Sequence, residues 1–317
     1  MNRHDNLLLA YTVRGLSGSY FVMKRNYFLS ALFATAFVCL NIVPTFAADS
    51  VTTKTKSATA VPPPVFAITH HSLRVNGDTV RFSATAGSLI LRNDKQAPTA
   101  SVFFVAYTQN GVRDQGDRPL TFVYNGGPGS ASLWLELGAF GPRRVVTNDN
   151  KATPPAPYEL TANDYSLLDK SDLVFIDAPG TGFSRIVGAG KPENFFSVDK
   201  DAQAFAQFIR RYLDKYHRWN SPKFLLGESY GTTRSAALSE VLQREGIALN
   251  GIVLLSSILN FQTASFAPGN DLAYALFLPT YAAIAWYHKA LPEQPEKLAP
   301  FLKEVEKFAM GDYADAL

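Results

Sequence analysis

The chain has 317 residues, 47% hydrophobic and 18% charged, with 30 Lys and Arg against 27 Asp and Glu. That balance sustains a buried core in one large domain or two small ones and excludes wholesale disorder. Arg3, Arg14, Lys24 and Arg25 face only Asp5 within residues 1–48, so residues 49–317 carry 26 groups of each sign. A neutral body gives no electrostatic case for nucleic acid or for an acidic membrane surface.

From Met23 the sequence runs MKRNYFLSALFATAFVCLNIVPTFAADS. A basic pair, an apolar run to about Val43, Pro44 and then small residues follow the order of a secretory signal cleaved near Ala47 or Ala48. Residues 23–48 are therefore expected to direct export to the periplasm or outside the cell, and residues 1–22 read as an over-long N-terminal extension. The run is slightly short for an uncleaved anchor, so no membrane attachment is expected after cleavage. Cys39, the only cysteine, lies inside it. The processed chain would have no disulfide, thiol nucleophile or thiolate metal site.

Residues 49–66, rich in Thr, Ser, Ala and Pro, read as a flexible leader. Alternating apolar positions in residues 71–93, broken at Asn76-Gly77, and the strand SVFFVAYTQNG (101–111) predict an antiparallel meander. The pattern then changes. LTFVYN (120–125), DLVFIDAP (172–179), KFLL (223–226) and GIVLLS (251–256) are short apolar runs suited to strands covered on both faces. Between them, residues 195–219 place Ala202, Phe205, Ile209, Tyr212, Leu213 and Tyr216 on one helical stripe, with Asp199 and Asp201 in the first turn. A second helix is expected from about Thr232 to Gln243. Strands alternating with helices predict an α/β fold with a mixed, mostly parallel sheet. Beyond Asn260 the chain turns aromatic and helical, ending in a polar helix near residues 293–309. The core is thus expected over 67–260 and a helical cap over 261–317.

Two stretches carry chemistry. Gly227-Glu228-Ser229-Tyr230-Gly231 matches G-x-S-x-G between a strand and a helix, the context in which a sharp turn lifts a serine clear of the sheet. NGGPGSAS (125–132) follows the strand LTFVY, and its paired glycines can turn backbone N–H groups toward a ligand. Such a loop supplies one oxyanion donor while the N–H after the nucleophile supplies the other. GAGKP (188–192) lacks the Ser or Thr of a phosphate loop and reads as a surface loop. No histidine–carboxylate spacing suggests a metal site, and no cofactor is expected.

With DLVFIDAPGTGFS (172–184), these stretches resemble the serine carboxypeptidases, secreted α/β-hydrolases that remove C-terminal residues from peptides. The resemblance runs from about Val65 to the C-terminus. It implies an α/β-hydrolase fold with a cap insertion, Ser229 as nucleophile, and an oxyanion hole made by the N–H groups of Gly127 and Tyr230. It also implies that Asn125, the N–H of Gly126 and Glu228 bind the terminal carboxylate of a peptide substrate, with a proton shared between the two acids. The family pairs that glutamate with a second one. Glu136 is the nearest residue to that position, although aligning the later Phe-Gly-Pro puts Ala139 there. Ser130 replaces a cysteine common in the family.

A serine needs a base. In α/β-hydrolases the order is Ser, acid, His, and only His288 follows Ser229, within an aromatic helix. His70, His71 and His217 precede the nucleophile and suit solvated or capping roles. The acid and the base are therefore expected from a C-terminal segment outside this chain, the chain resembling the front part of the family's fold. A complementary fragment is an expected partner, and an unpaired apolar sheet edge an expected consequence. Alternatives are an inactive fragment or peptide-binding module, and an esterase or acyltransferase on the same scaffold.

Overall fold

The computed structural model describes residue 61 and residues 63–317 except 76, 149–151 and 154. The extension, the signal segment and most of the leader lie outside the described residues.

The meander forms as β1 (Phe66–Val75), β2 (Asp78–Arg92) and β3 (Pro98–Gln109). Val75 pairs with Asp78 across a two-residue turn. Gly77 there adopts φ +90°, backbone that a residue with a Cβ rarely takes. The next strand, β4 (Leu120–Tyr124), is buried at every residue. A short helix, α1 (Leu133–Leu135), continues as a π-turn over Glu136–Phe140, and β5 (Arg143–Val145) with β6 (Leu160–Ala162) makes a separate ribbon. Another fully buried strand, β7 (Asp172–Ile176), precedes the two-residue β8 (Arg185–Ile186), which pairs with β3.

The long helix α2 (Val198–Tyr216) starts where the Ser197 hydroxyl accepts the N–H of Lys200 and stops at His217, which takes the left-handed cap position. Its predicted stripe faces inward: Ala202, Phe205, Ile209, Tyr212 and Leu213 are buried. Then come β9 (Lys223–Glu228), α3 (Tyr230–Arg244) and β10 (Gly251–Leu255). The first turn of α3 lies two residues earlier than expected, directly on Ser229. Last are α4 (Asp271–Tyr287), α5 (Leu298–Ala309) and α6 (Asp312–Ala316). The expected helix over 293–309 begins only at Leu298, because Pro292 and Pro295 lack N–H donors and restrict the residues before them.

The sheet order is β1-β2-β3-β7-β4-β9-β10, with β7, β4, β9 and β10 mutually parallel and β3 antiparallel to β7. This is the mixed, mostly parallel sheet of an α/β-hydrolase. From β4 the chain crosses to β7 on one side and then to β9 on the other. In open α/β sheets such a reversal opens a crevice at the carboxyl ends of the strands. Alternation along the central strands feeds two cores. Phe104, Phe122, Tyr124 and Leu225 pack under α2 and α3, while Tyr107, Val123, Phe175 and Leu226 belong to the other core.

Two surfaces remain apolar. Among the described residues β10 pairs only with β9, and its Ile252, Val253 and Leu254 are 40%, 47% and 50% exposed. In α4, apolar round most of its circumference, only Ala273 and Ala275 are buried.

Candidate active site

Ser229 closes β9 with φ 57° and ψ −124°, a conformation that costs a residue with a Cβ about 1–3 kcal/mol. The flanking glycines permit it. A Cβ on Gly227 would collide with the Gly231 carbonyl and lie 2.6 Å from Ser235 Oγ, and one on Gly231 would stand 3.0 Å from the Tyr124 carbonyl oxygen. Main-chain bonds fix the turn. Ser229 N–H donates to the Leu255 carbonyl at 2.9 Å, and Ser229 O accepts from Thr232 N at 2.9 Å and from its hydroxyl at 2.7 Å. The partly exposed Ser229 hydroxyl has no hydrogen-bond partner among the described residues.

The glycine loop after β4 rests directly on this turn. A Cβ on Gly126 would strike Tyr230 N and lie 2.5 Å from Gly231 N and 2.7 Å from Glu228 O. No residue but glycine lets the two corners meet so closely. Next to it Gly127 has φ +104°. Neither the Gly127 N–H nor the Tyr230 N–H finds an acceptor among the described residues. Gly127 is exposed and Tyr230 opens α3, where the first N–H groups have no partner within the helix, so both donors are open to a ligand.

Asn125 joins the corners through side chains. Its Nδ2 donates to Glu228 Oε2 at 2.9 Å, and its Oδ1 accepts from Leu135 N at 3.1 Å. Its carbonyl accepts from Arg234 Nη1 at 2.7 Å, and Arg234 Nε donates to Asp201 Oδ2 at 2.7 Å. The Arg234 guanidinium, 1% exposed, stacks 4.4 Å from the Phe205 ring centre. Asp201 therefore does more than complement the dipole of α2. It neutralises the arginine that holds the glycine loop. Burial raises the Asp201 carboxyl above the ordinary carboxylate range, with Arg234 opposing that shift.

The loop after β7 braces the same place. Asp177 accepts from Ser132 N at 2.9 Å and Phe183 N at 3.0 Å, tying the glycine loop to the Pro179–Ser184 turn. Gly182, at φ +48°, has no room for a Cβ beside the Asp177 carboxylate. Ser184 Oγ donates to the Asp177 carbonyl and accepts from Phe103 N, which explains the Gly-Phe-Ser of this stretch.

Glu136 goes elsewhere. Tyr107 donates its hydroxyl to Glu136 Oε1 at 2.7 Å, and no hydrogen bond joins Glu136 to Glu228. Burial raises the Glu136 carboxyl, the Asp177 charge adds to the shift, and the Tyr107 bond opposes it. Ala139, the other residue at that position, only packs partly buried against the second core. Nor, among the described residues, does a histidine hydrogen-bond Ser229. His70 bonds Ser83, His71 bonds Thr69, His217 caps α2, and His288 ends α4 against Tyr287. Among the described residues no cluster of three or more His, Cys, Asp or Glu could hold a metal.

Sequence reasoning brought Asn125, Gly126, Gly127, Glu228, Ser229 and Tyr230 forward, and the fold gathers them at one crevice. It missed Arg234 and Asp201. A helical Arg four residues past Tyr230 looks like a surface group until its partner, 33 positions away, is known.

Comparison with known proteins places these features in context. The family model described as serine carboxypeptidase matches residues 76–295. The pheromone-processing carboxypeptidase KEX1 of Saccharomyces cerevisiae is 35% identical over 158 residues, covering 46% of this chain and 20% of that protein. Serine carboxypeptidase-like 33 of Arabidopsis thaliana is 29% identical over 183 residues, covering 57% and 35%. The crystal structure of KEX1(delta)p from S. cerevisiae aligns with 74% of this chain and 48% of its own, at 24% identity and a TM-score of 0.45. The chain thus spans about a fifth to a third of the length of these two curated relatives.

Proposed function

The chain belongs to the serine carboxypeptidase family, and from that premise we propose that it carries the nucleophile, oxyanion and carboxylate-binding part of a peptidase that releases C-terminal residues. The observation that supports this most is the contact of Gly126 with the backbone of Glu228, Tyr230 and Gly231, which sets the glycine loop against the turn that carries Ser229. Ser229 Oγ attacks the scissile carbonyl and passes its proton to a base. The Gly127 and Tyr230 N–H groups receive the developing oxyanion. As the C–N bond breaks, the proton goes to the leaving amine, and water then releases the acyl group from Ser229.

Asn125, the Gly126 N–H and Glu228 bind the terminal carboxylate of the substrate. Two facing carboxylates repel unless one holds a proton, so binding through Glu228 favours acidic conditions. Glu136, bonded to Tyr107, supports that loop from behind and does not share the proton.

The base and its acid come from a complementary C-terminal segment. Its strands extend the sheet from β10, whose apolar residues are open to it. Alone, the chain is a peptide-binding module with an unactivated serine, a reading favoured by the lone Ser229 hydroxyl. Residues 23–48 direct export, which sequencing the N-terminus of the secreted product tests. Among the described residues no helix is long and apolar enough to cross a membrane.

Comparing a peptide acid with its C-terminal amide at acidic pH tests the activity, using the chain together with the complementary segment. Faster hydrolysis of the acid is expected. Equal rates would favour an esterase or acyltransferase on this scaffold and end the carboxypeptidase reading.

A further inference from the structure

Where α2 packs on β2, Leu89, Ile90, Arg211, Asp214 and Lys215 line a hollow of about 390 Å³, within the range of roughly 300–1,000 Å³ typical of small-ligand sites. Arg211, Asp214 and Lys215 stand three and four positions apart, so one face of α2 presents all three. Arg92 continues β2 on the same face as Ile90. Its charge and that of Arg210 both act on Arg211. No residue of the Ser229 turn or of the glycine loop lines this hollow.

Positive charge there exceeds what the protein itself neutralises. Arg210 is paired with Glu245 at 2.9 Å. Among the described residues, Arg92, Arg211 and Lys215 have no carboxylate within ion-pair distance. Arg92 Nη1 donates to the Gln96 carbonyl at 2.7 Å, and Lys215 Nζ lies 4.2 Å from the Phe66 ring centre. Neither contact removes a charge. Asp214, the one acid lining the hollow, accepts from Trp219 Nε1 at 2.8 Å.

Arg211 is the sharpest case. Its Nε is buried with no hydrogen-bond partner, the only such side-chain atom among the described residues, whereas buried donors are nearly always bonded. Burial and the charges of Arg92 and Arg210 lower the Arg211 pKa, and Asp214 opposes them. The fold thus holds a guanidinium, still charged at neutral pH, beside a hollow that brings it no matching anion.

We propose that the hollow between β2 and α2 binds a compact doubly charged oxyanion, phosphate or sulfate, on Arg211, with Arg92 and Lys215 supplying the remaining charge. Three unpaired cations less one acid leave a surplus of two, which a dianion matches. The planar fork of a guanidinium meets the oxygens of such an anion in pairs. Residues 49–317 carry 26 groups of each sign, which gives no support for a long polyanion. The inference does not rest on the proposed function.

NMR titration of the 317-residue chain at pH 7.5 tests it, following the Arg211 Nε–H signal at constant ionic strength maintained with chloride. Inorganic phosphate and sulfate should each shift that signal saturably, with a midpoint of about 10 mM or below. Glycerol 3-phosphate, run beside them, shows whether the same site also accepts a phosphate ester. Arg211→Gln, followed on neighbouring amides of α2, should raise the midpoint about tenfold or more. Lys215→Gln should raise it about threefold, and Asp214→Asn should lower it by a similar factor, as removal of one exposed charge does. Lys215→Gln and Asp214→Asn serve if the arginine variant misfolds. A response that does not saturate by about 100 mM, or one unchanged in both Arg211→Gln and Lys215→Gln, would overturn the proposal. Weaker binding in Asp214→Asn would also overturn it, because that carboxylate would then be part of what phosphate needs.

Discussion

Gly126 lies against the backbone amide of Tyr230 so closely that a single Cβ carbon would not fit between them. The two residues are 104 positions apart in the chain, yet this contact holds the loop after β4 against the turn that carries Ser229. Gly126→Ala should therefore destabilise the fold by about 2 kcal/mol or more, as overpacking against backbone does. Gly138→Ala provides the comparison. Nothing lies within 4 Å of its Cβ and its φ is not positive, so it should be neutral or stabilising by up to about 1 kcal/mol. Urea melts of both variants decide. Equal stabilities would show that the corners are not in contact.

Arg234 offers a second test. It is buried, paired with Asp201 and bonded to the Asn125 carbonyl. Arg234→Met strands a buried carboxylate, and losses of about 3–5 kcal/mol are typical when one partner of such a pair is removed. Asp201→Asn combined with Arg234→Met should recover part of that loss, which a double-mutant cycle measures. Additive losses would mean that the pair is not energetically coupled.

The pattern of chain and fold agrees where periodicity is local and fails where a partner is distant. The meander, the buried strands and the stripe of α2 were legible because alternation and helical spacing are written in neighbouring residues. Ser229 and Gly127 were legible because a turn of that kind demands glycine. The Tyr107–Glu136 bond was not, since it joins residues on different elements whose approach depends on β3 lying beside β7. Asp201 was read only in part for the same reason: it does sit in the first turn of α2, as its position suggested, but Arg234 on α3, 33 positions away, decides its environment.

Stability should depend on pH through Glu136 and Asp177. Burial raises both carboxyls above their ordinary values. A folded-state pKa above the unfolded one means that the native state holds its protons longer. The resulting stabilisation is complete below the unfolded pKa, near 4, and is lost as pH rises through the raised folded values. Thermal melts should therefore show these two groups favouring acidic conditions, and Glu136→Gln should flatten the profile above pH 4. An unchanged profile in that variant would remove Glu136 from the account.

The β10 edge should make the chain self-associate. Ile252, Val253 and Leu254 are exposed on a strand that has one neighbour among the described residues, and an open apolar edge invites pairing. Val253→Lys should lower the concentration-dependent light scattering of the 317-residue chain without changing its circular dichroism. Scattering independent of this residue would locate the association elsewhere.

Labelling with a fluorophosphonate, read by mass spectrometry at Ser229, addresses the nucleophile most directly. On the proposed function, with no histidine bonded to Ser229 among the described residues, Ser229 should remain almost unlabelled in the chain alone, at the level of Ser229→Ala, and become labelled when a segment bearing the acid and histidine is supplied. Rapid labelling of Ser229 in the chain by itself would contradict the account, because a base would then already be in place.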